Sequence, residues 1–181
     1  MIKARDFILR NFRESDSNHF FSLVNDLSQR EDYDDLNIHT PAEWESIFGN
    51  IHHWEQDKGQ LLITDYDDNI LGDIAFFKGH FYFTGFEIGY RLFRFEHRGQ
   101  GLMSRVLPLF CAYIFNIKDI PRLYLQTLSN NVASKKVAEK AGFEYHGTLP
   151  KAGFCRGKNV DLDCYSLLKE NCMSYEEALK L

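Results

Sequence analysis

The sequence predicts an α+β domain built on a mixed, mostly antiparallel twisted sheet. Three observations carry this. Residues 61–92 read as successive strands separated by turn residues, residues 95–128 then read as loop, apolar helix and strand, and 181 residues with 44% apolar character suffice for one hydrophobic core. A folded chain of this length buries roughly 70% of the surface its unfolded state exposes, so one domain over 1–181 is expected.

The elements follow in order. Asp6–Phe12 is a short strand candidate. Ser15 and Asp16 offer an N-cap to an apolar helix carrying Phe20, Phe21, Val24 and Leu27. Residues 30–39 are a polar loop with four acids, Glu31, Asp32, Asp34 and Asp35. Thr40-Pro41 then starts a second helix with Trp44, Ile47, Ile51 and Trp54 near helical spacing. Strands follow at Leu61–Tyr66, Ile70–Lys78 and Phe81–Leu92, the first two joined by the turn Asp67-Asp68-Asn69, which makes an antiparallel meander. A Gly-bearing loop from Phe95 to Gly101 opens an apolar helix to about Asn116, in which Pro108 removes a hydrogen bond and predicts a kink. The strand Arg122–Leu128 completes a strand, helix, strand unit. Ser129-Asn130-Asn131 caps a further helix with Ala133, Val137 and Ala141 on one stripe, ended by Gly142 in the C′ position. Strands at about Glu144–Leu149 and Asp161–Leu168 close the chain around a loop containing Gly153 and Gly157.

Composition excludes several classes of function. Lys and Arg total 21 against 26 Asp and Glu, a formal charge of −5. The charge is spread along the chain, without the basic stripe a nucleic-acid surface shows. The longest apolar run, Val106–Phe115, contains a proline and falls well short of the ~20 residues that cross a bilayer. The opening Met-Ile-Lys-Ala-Arg-Asp breaks into charge before an apolar stretch forms, so no signal peptide is expected and a cytoplasmic location is. Cys111, Cys155, Cys164 and Cys172 form no C-x-x-C pair and no zinc spacing, which reads as reduced thiols and no metal.

The segment His97-Arg98-Gly99-Gln100-Gly101-Leu102-Met103 follows a strand and opens a helix, where unpaired N–H groups and the helix dipole favour an anion. Glycine lets a diphosphate approach that backbone closely. A Walker loop fails because no Gly-Lys-Ser/Thr follows. A dinucleotide fingerprint fails at Ser104 and would require an all-parallel sheet.

A third pattern fits better. Arg98-x-x-Gly101-x-Met103 resembles the acetyl-CoA pyrophosphate loop of the GNAT superfamily of N-acetyltransferases. Glu87-Ile88-Gly89-Tyr90-Arg91-Leu92 before it, Asn131 through Gly142-Phe143 after it and Val160–Leu168 at the end stand in that family's order. Together they resemble the branch containing Rim-type acetyltransferases of ribosomal-protein N-termini and many small-amine acetyltransferases. The resemblance implies a GNAT-like sheet flanked by helices on both faces. It implies acetyl-CoA as cosubstrate, with Arg98, Gly99, Gln100, Gly101, Leu102 and Met103 at the diphosphate and Asn131 and Ser134 near the pantetheine. The strand before the loop is expected to splay from its neighbour, so that backbone amides around Leu92 and Arg94 bind the pantetheine and polarise the acetyl oxygen.

The resemblance also implies roles in catalysis. Glu87 matches a Glu that some members use to deprotonate the acceptor ammonium, often through water. Met103 stands where Gly or Ala is usual, as it often does in the Rim-type branch. Ala138 stands where many members carry a tyrosine that protonates the leaving thiolate, and Ser134, one turn earlier, matches a Ser that some Rim-type members are thought to use instead. The stretch Lys151-Ala152-Gly153-Phe154 lacks the Glu of some Rim-type enzymes, which weakens a ribosomal-protein assignment. The expected acceptor is a primary amine of a small molecule or a protein N-terminus, acetylated by direct transfer in a ternary complex. Tyr33, Trp44 and Phe154 are candidate acceptor-stacking residues. The acidic loop suits a cationic acceptor, and His80, His52 and His53 are candidate titrating groups near the cleft. No nucleic-acid or membrane partner is expected, and a homodimer stays open. The rival reading is a non-catalytic acyl-CoA-binding sensor or partner module.

Overall fold

The computed structural model describes residues 1–43, 54–79 and 84–181. One eight-stranded sheet organises them: β1 (Ile2–Lys3), β2 (Ile8–Arg10), β3 (Lys58–Thr64), β4 (Ile70–Phe77), β5 (Phe86–Leu92), β6 (Arg122–Leu128), β7 (Glu144–Cys155) and β8 (Lys158–Leu168). Their spatial order is β1-β2-β3-β4-β5-β6-β8-β7. Every neighbouring pair is antiparallel except β5 with β6. This order matches the expected mixed sheet and removes the dinucleotide reading, which needs parallel strands throughout.

Strand periodicity sends alternate residues to two separate cores. Leu61, Ile63, Leu71, Phe86, Ile88, Leu123 and Leu125 pack with the helix α2 (Leu102–Ile117) on one face. Leu62, Ile70 and Phe93 pack on the other face with Phe20, Phe21, Leu23 and Val24 of α1 (Ser17–Val24). Both faces therefore carry helices, and β4 is buried along nearly its whole length. Helices α3 (Val132–Lys140) and α4 (Tyr175–Ala178) join the larger core through Ala138 and Ala178.

Several boundaries differ from the sequence reading. Asp16 does not cap α1 with its side chain. Its carboxylate instead accepts from the buried Arg10 guanidinium at 2.7 and 3.0 Å and from the Arg13 N–H. Leu27 lies beyond α1 and is exposed. Helix α2 runs through Pro108 to Ile117, as expected, because burial of almost the entire apolar segment outweighs one missing hydrogen bond. On α3 the buried positions are Ala138 and Ala141, while Ala133 faces solvent. Gly142, at φ 87°, does end that helix. The closing strands are longer than expected and absorb Gly153, leaving a tight turn at Arg156-Gly157. Helix α4 is an addition; the capping box of Ser174 with Glu177 starts it. The body of the expected second helix, with Trp44, Ile47, Ile51, His52 and His53, and residue His80 lie outside the described residues.

Candidate active site

The sheet opens where its one parallel pair fails. β5 and β6 are each seven residues long, yet they pair only at Phe86↔Leu123 and Glu87↔Tyr124. Beyond Glu87 the strands diverge into a wedge, and the β6-facing backbone groups of Ile88–Leu92 find no partner in that ladder. Unpaired strand amides of this kind bind an extended amide-bearing chain and polarise a carbonyl.

At the end of β5 the loop bends into α2. Gly99 and Gly101 take φ values of 72° and 73°, in the left-handed region that disfavours other residues. Gly101 holds the N-cap position, and no side chain caps the helix. The first-turn N–H groups are therefore open to an anion at the positive end of the helix dipole. Nothing lies within 4 Å of a Cβ built on Gly99, so the loop has clear space above it. Leu102 and Met103 turn their side chains into the core, being 8% and 6% exposed. A Met in place of Gly or Ala thus leaves the mouth of the loop free. These features fit a diphosphate.

Arg98 has a different place from the one its motif suggests. Its guanidinium donates to Leu92 O at 3.0 Å and Gln29 O at 2.9 Å, pairs with Glu31 at 3.3 Å and Asp34 at 3.6 Å, and lies over the Phe95 ring. Gln100 donates its side-chain amide to Glu96 O. Arg94 is exposed, and its carbonyl accepts from the His97 N–H within the loop. Arg98 is thus a latch that ties the loop to residues 29–34.

A second arginine secures the same segment from the far side. Arg156 donates to Glu31 O at 2.7 Å and Asp34 O at 3.2 Å, and pairs with Asp32 at 3.5 Å. Of the acidic segment, Glu31 and Asp34 are thereby engaged within the protein through Arg98, while the Asp32 side chain stays 95% exposed and Asp35 is exposed. Cys155 Sγ, next to Phe154 on β7, meets Asp32 O at 3.8 Å and Asp34 O at 3.6 Å, on either side of Tyr33 in the chain. Tyr33 is half-buried, and burial together with Glu31 raises its hydroxyl pKa. Phe154 is 73% exposed on β7. Trp44, the third acceptor candidate, is outside the described residues.

Glu87 sits at the apex of the wedge, on the last parallel pair. Burial pushes its carboxyl pKa up, since little around it compensates the charge. A Cβ at Gly79 would come within 3.3 Å of Glu87 Oε2, so the glycine leaves room beside the carboxylate. Ser134 lies on the opposite face. Its N–H donates to the capping Asn131 Oδ1 at 3.0 Å, and its Oγ lies 3.0 Å from Tyr90 Oη. Alternation along β5 places Tyr90 with Ile88 and Glu87 with Arg91 on opposite faces. The two candidate groups therefore approach the wedge from its two sides.

Two features escape the sequence reading. Tyr90 lies 44 residues from Ser134, and only its face on β5 is legible. Asp163 on β8 accepts from Ser129 Oγ at 2.6 Å, Thr148 Oγ1 at 2.7 Å and Lys135 Nζ at 2.9 Å. Burial acts to raise its pKa, but these donors outweigh it and hold the carboxyl at about 2. This cluster fixes the turn that presents Asn131 and Ser134.

Comparison with known proteins agrees with this fold. The family described as Acetyltransferase (GNAT) domain matches residues 6–144. An SPbeta prophage-derived N-acetyltransferase, YokL, of Bacillus subtilis is 26% identical over 178 residues, covering 92% of each chain. A ribosomal-protein-alanine acetyltransferase from Vibrio fischeri superposes with a TM-score of 0.80 at 19% identity, over 95% of this chain and 98% of that one. Spermidine N-acetyltransferase from Vibrio cholerae, in complex with CoA and spermine, gives 0.76 at 19% identity over 91% and 96%.

Proposed function

Because the chain belongs to the GNAT acetyltransferase family and is an acetyl-CoA-dependent N-acetyltransferase, we propose that its wedge aligns a primary amine with the thioester and that Glu87 removes the amine's proton. The observation that carries this is the divergence of β5 from β6 immediately after Glu87, at the strand that leads into the uncapped start of α2. The backbone of Gly99–Met103 binds the diphosphate, the amides around Leu92 and Arg94 align the pantetheine, and Asn131 and Ser134 flank its thiol end. Acetyl-CoA supplies the activated acyl group. Most of the rate advantage comes from holding the partners in register, because a thiol is already a good leaving group.

The acceptor is a small-molecule amine or a protein N-terminus, and the working compartment is the cytoplasm. Pairing of Glu31 and Asp34 with Arg98 favours an acceptor carrying one ammonium over a long polycation. Tyr33 and Phe154 stand ready to stack on it. Free-thiol release from acetyl-CoA, measured against amino acids, Ala- and Ser-initiated peptides and polyamines, tests the reading. Turnover with monoamines above polyamines is expected. Binding of acetyl-CoA without thiol release for any amine would establish the sensor reading instead.

A further inference from the structure

Resting on that acetyl-transfer reading, we propose that Tyr90 is a positioning residue for thiol departure, holding the Ser134 hydroxyl with its O–H directed into the wedge. β5 and β6 form the two arms of the wedge, β6 runs on into the turn that starts α3, and the strand ladder between the arms ends at Glu87. Tyr90 lies three residues further on, and its ring spans to α3. Its Oη is 3.0 Å from Ser134 Oγ and 3.3 Å from Ser134 O. Either hydroxyl can donate across the 3.0 Å contact, and that donation is here assigned to Tyr90. Tyr90 donating to Oγ leaves the Ser134 hydrogen to turn elsewhere, and the Ser134 N–H is already committed to Asn131.

Ala138 lies one turn beyond Ser134 on the same face of α3 and is fully buried. The helix offers no hydroxyl there, and Tyr90 supplies one from the strand. Burial raises the Tyr90 pKa well above the ordinary tyrosine value, so it stays a donor throughout the working pH range. In the transfer step the amine nitrogen forms its bond to the acetyl carbon, the carbon–sulfur bond breaks and its electron pair goes to sulfur. The Ser134 O–H donates a hydrogen bond to that thiolate, and the proton that the neutral attacking nitrogen sheds as it becomes the amide goes to Glu87.

The test is the ultraviolet titration of the CoA thiol bound to the protein, which needs no acceptor. A hydrogen bond to the thiolate lowers the thiol pKa, so Tyr90→Phe and Ser134→Ala should each raise it by about 0.5–1 unit. The double variant should rise no further than either single one, and Ser134→Thr should titrate like wild type. In turnover, Tyr90→Phe should lose about tenfold in kcat with KM for acetyl-CoA little changed and the melting temperature preserved, since the ring remains. An unshifted thiol titration in Tyr90→Phe, or shifts that add in the double variant, would overturn the proposal. Failure of the wild type to bind CoA would overturn the cofactor reading together with it. CoA binding without thiol release for any amine would overturn the acetyl-transfer reading, and the titration would still decide whether Tyr90 holds the Ser134 hydroxyl against the bound thiol.

Discussion

Arg98→Ala separates two readings of one residue. The motif suggests a guanidinium gripping phosphate, whereas the structure engages it with two main-chain carbonyls and two carboxylates. The side chain is 20% exposed, while Glu31 and Asp34 are 40% and 21% exposed. Those carboxylates rehydrate after truncation, so the ion pairs contribute little. The carbonyls of Leu92 and Gln29 lose charge-assisted donors at about 1–1.5 kcal/mol each, and the lost stem packing brings the total to about 3 kcal/mol. For a chain of this size that corresponds to a fall of roughly 6–12 °C in melting temperature. Urea unfolding gives the stability, and calorimetric titration well below the transition gives the acetyl-CoA affinity. A Kd within about threefold of wild type is expected, because main-chain groups hold the diphosphate. An unchanged melting temperature with a Kd raised tenfold or more, about 1.4 kcal/mol, would refute the latch and restore the phosphate grip.

Further consequences follow from the same geometry. Glu87→Gln should lower kcat by about 10² or more while acetyl-CoA affinity holds, as expected for loss of a general base. Burial raises the Glu87 pKa, so the base form disappears as pH falls through that raised value. The acid limb of kcat should therefore lie above the ordinary carboxylate range and vanish in the variant. Asp163→Asn should destabilise the protein by about 2 kcal/mol at pH 7, since the folded carboxyl titrates near 2 against 3.8. The sign is that of a depressed acid: the contribution is complete above about 4 and is lost as pH falls toward 2, so urea unfolding of wild type and variant should converge in acid. Gly101→Ala forces a side chain into left-handed backbone at about 1–2 kcal/mol, and acetyl-CoA titration should show weaker binding.

Local rules made much of the protein legible. Turn residues at Asp67-Asp68-Asn69 and alternating apolar residues in 61–92 define the meander, because strand pairing there is sequential. Gly142 marks the end of α3 because few other residues accept its φ. The Gly99 and Gly101 spacing marks the anion loop for the same reason. The chain misled where tertiary contacts override local signals. Asp16 reads as a helix cap but neutralises a buried arginine, and Arg98, which reads as a phosphate ligand, ties its loop to residues 29–34.

Sequence alone determined the fold class and the family resemblance and marked the glycine-bearing loop and Glu87 as candidates, since each depends on residues near one another in the chain. Tertiary structure decided that β5 parts from β6 directly after Glu87, that Arg98 and Arg156 engage the acidic segment, and that Tyr90 meets Ser134. Those contacts join residues tens of positions apart, and burial and register across strands set them, which no local periodicity encodes.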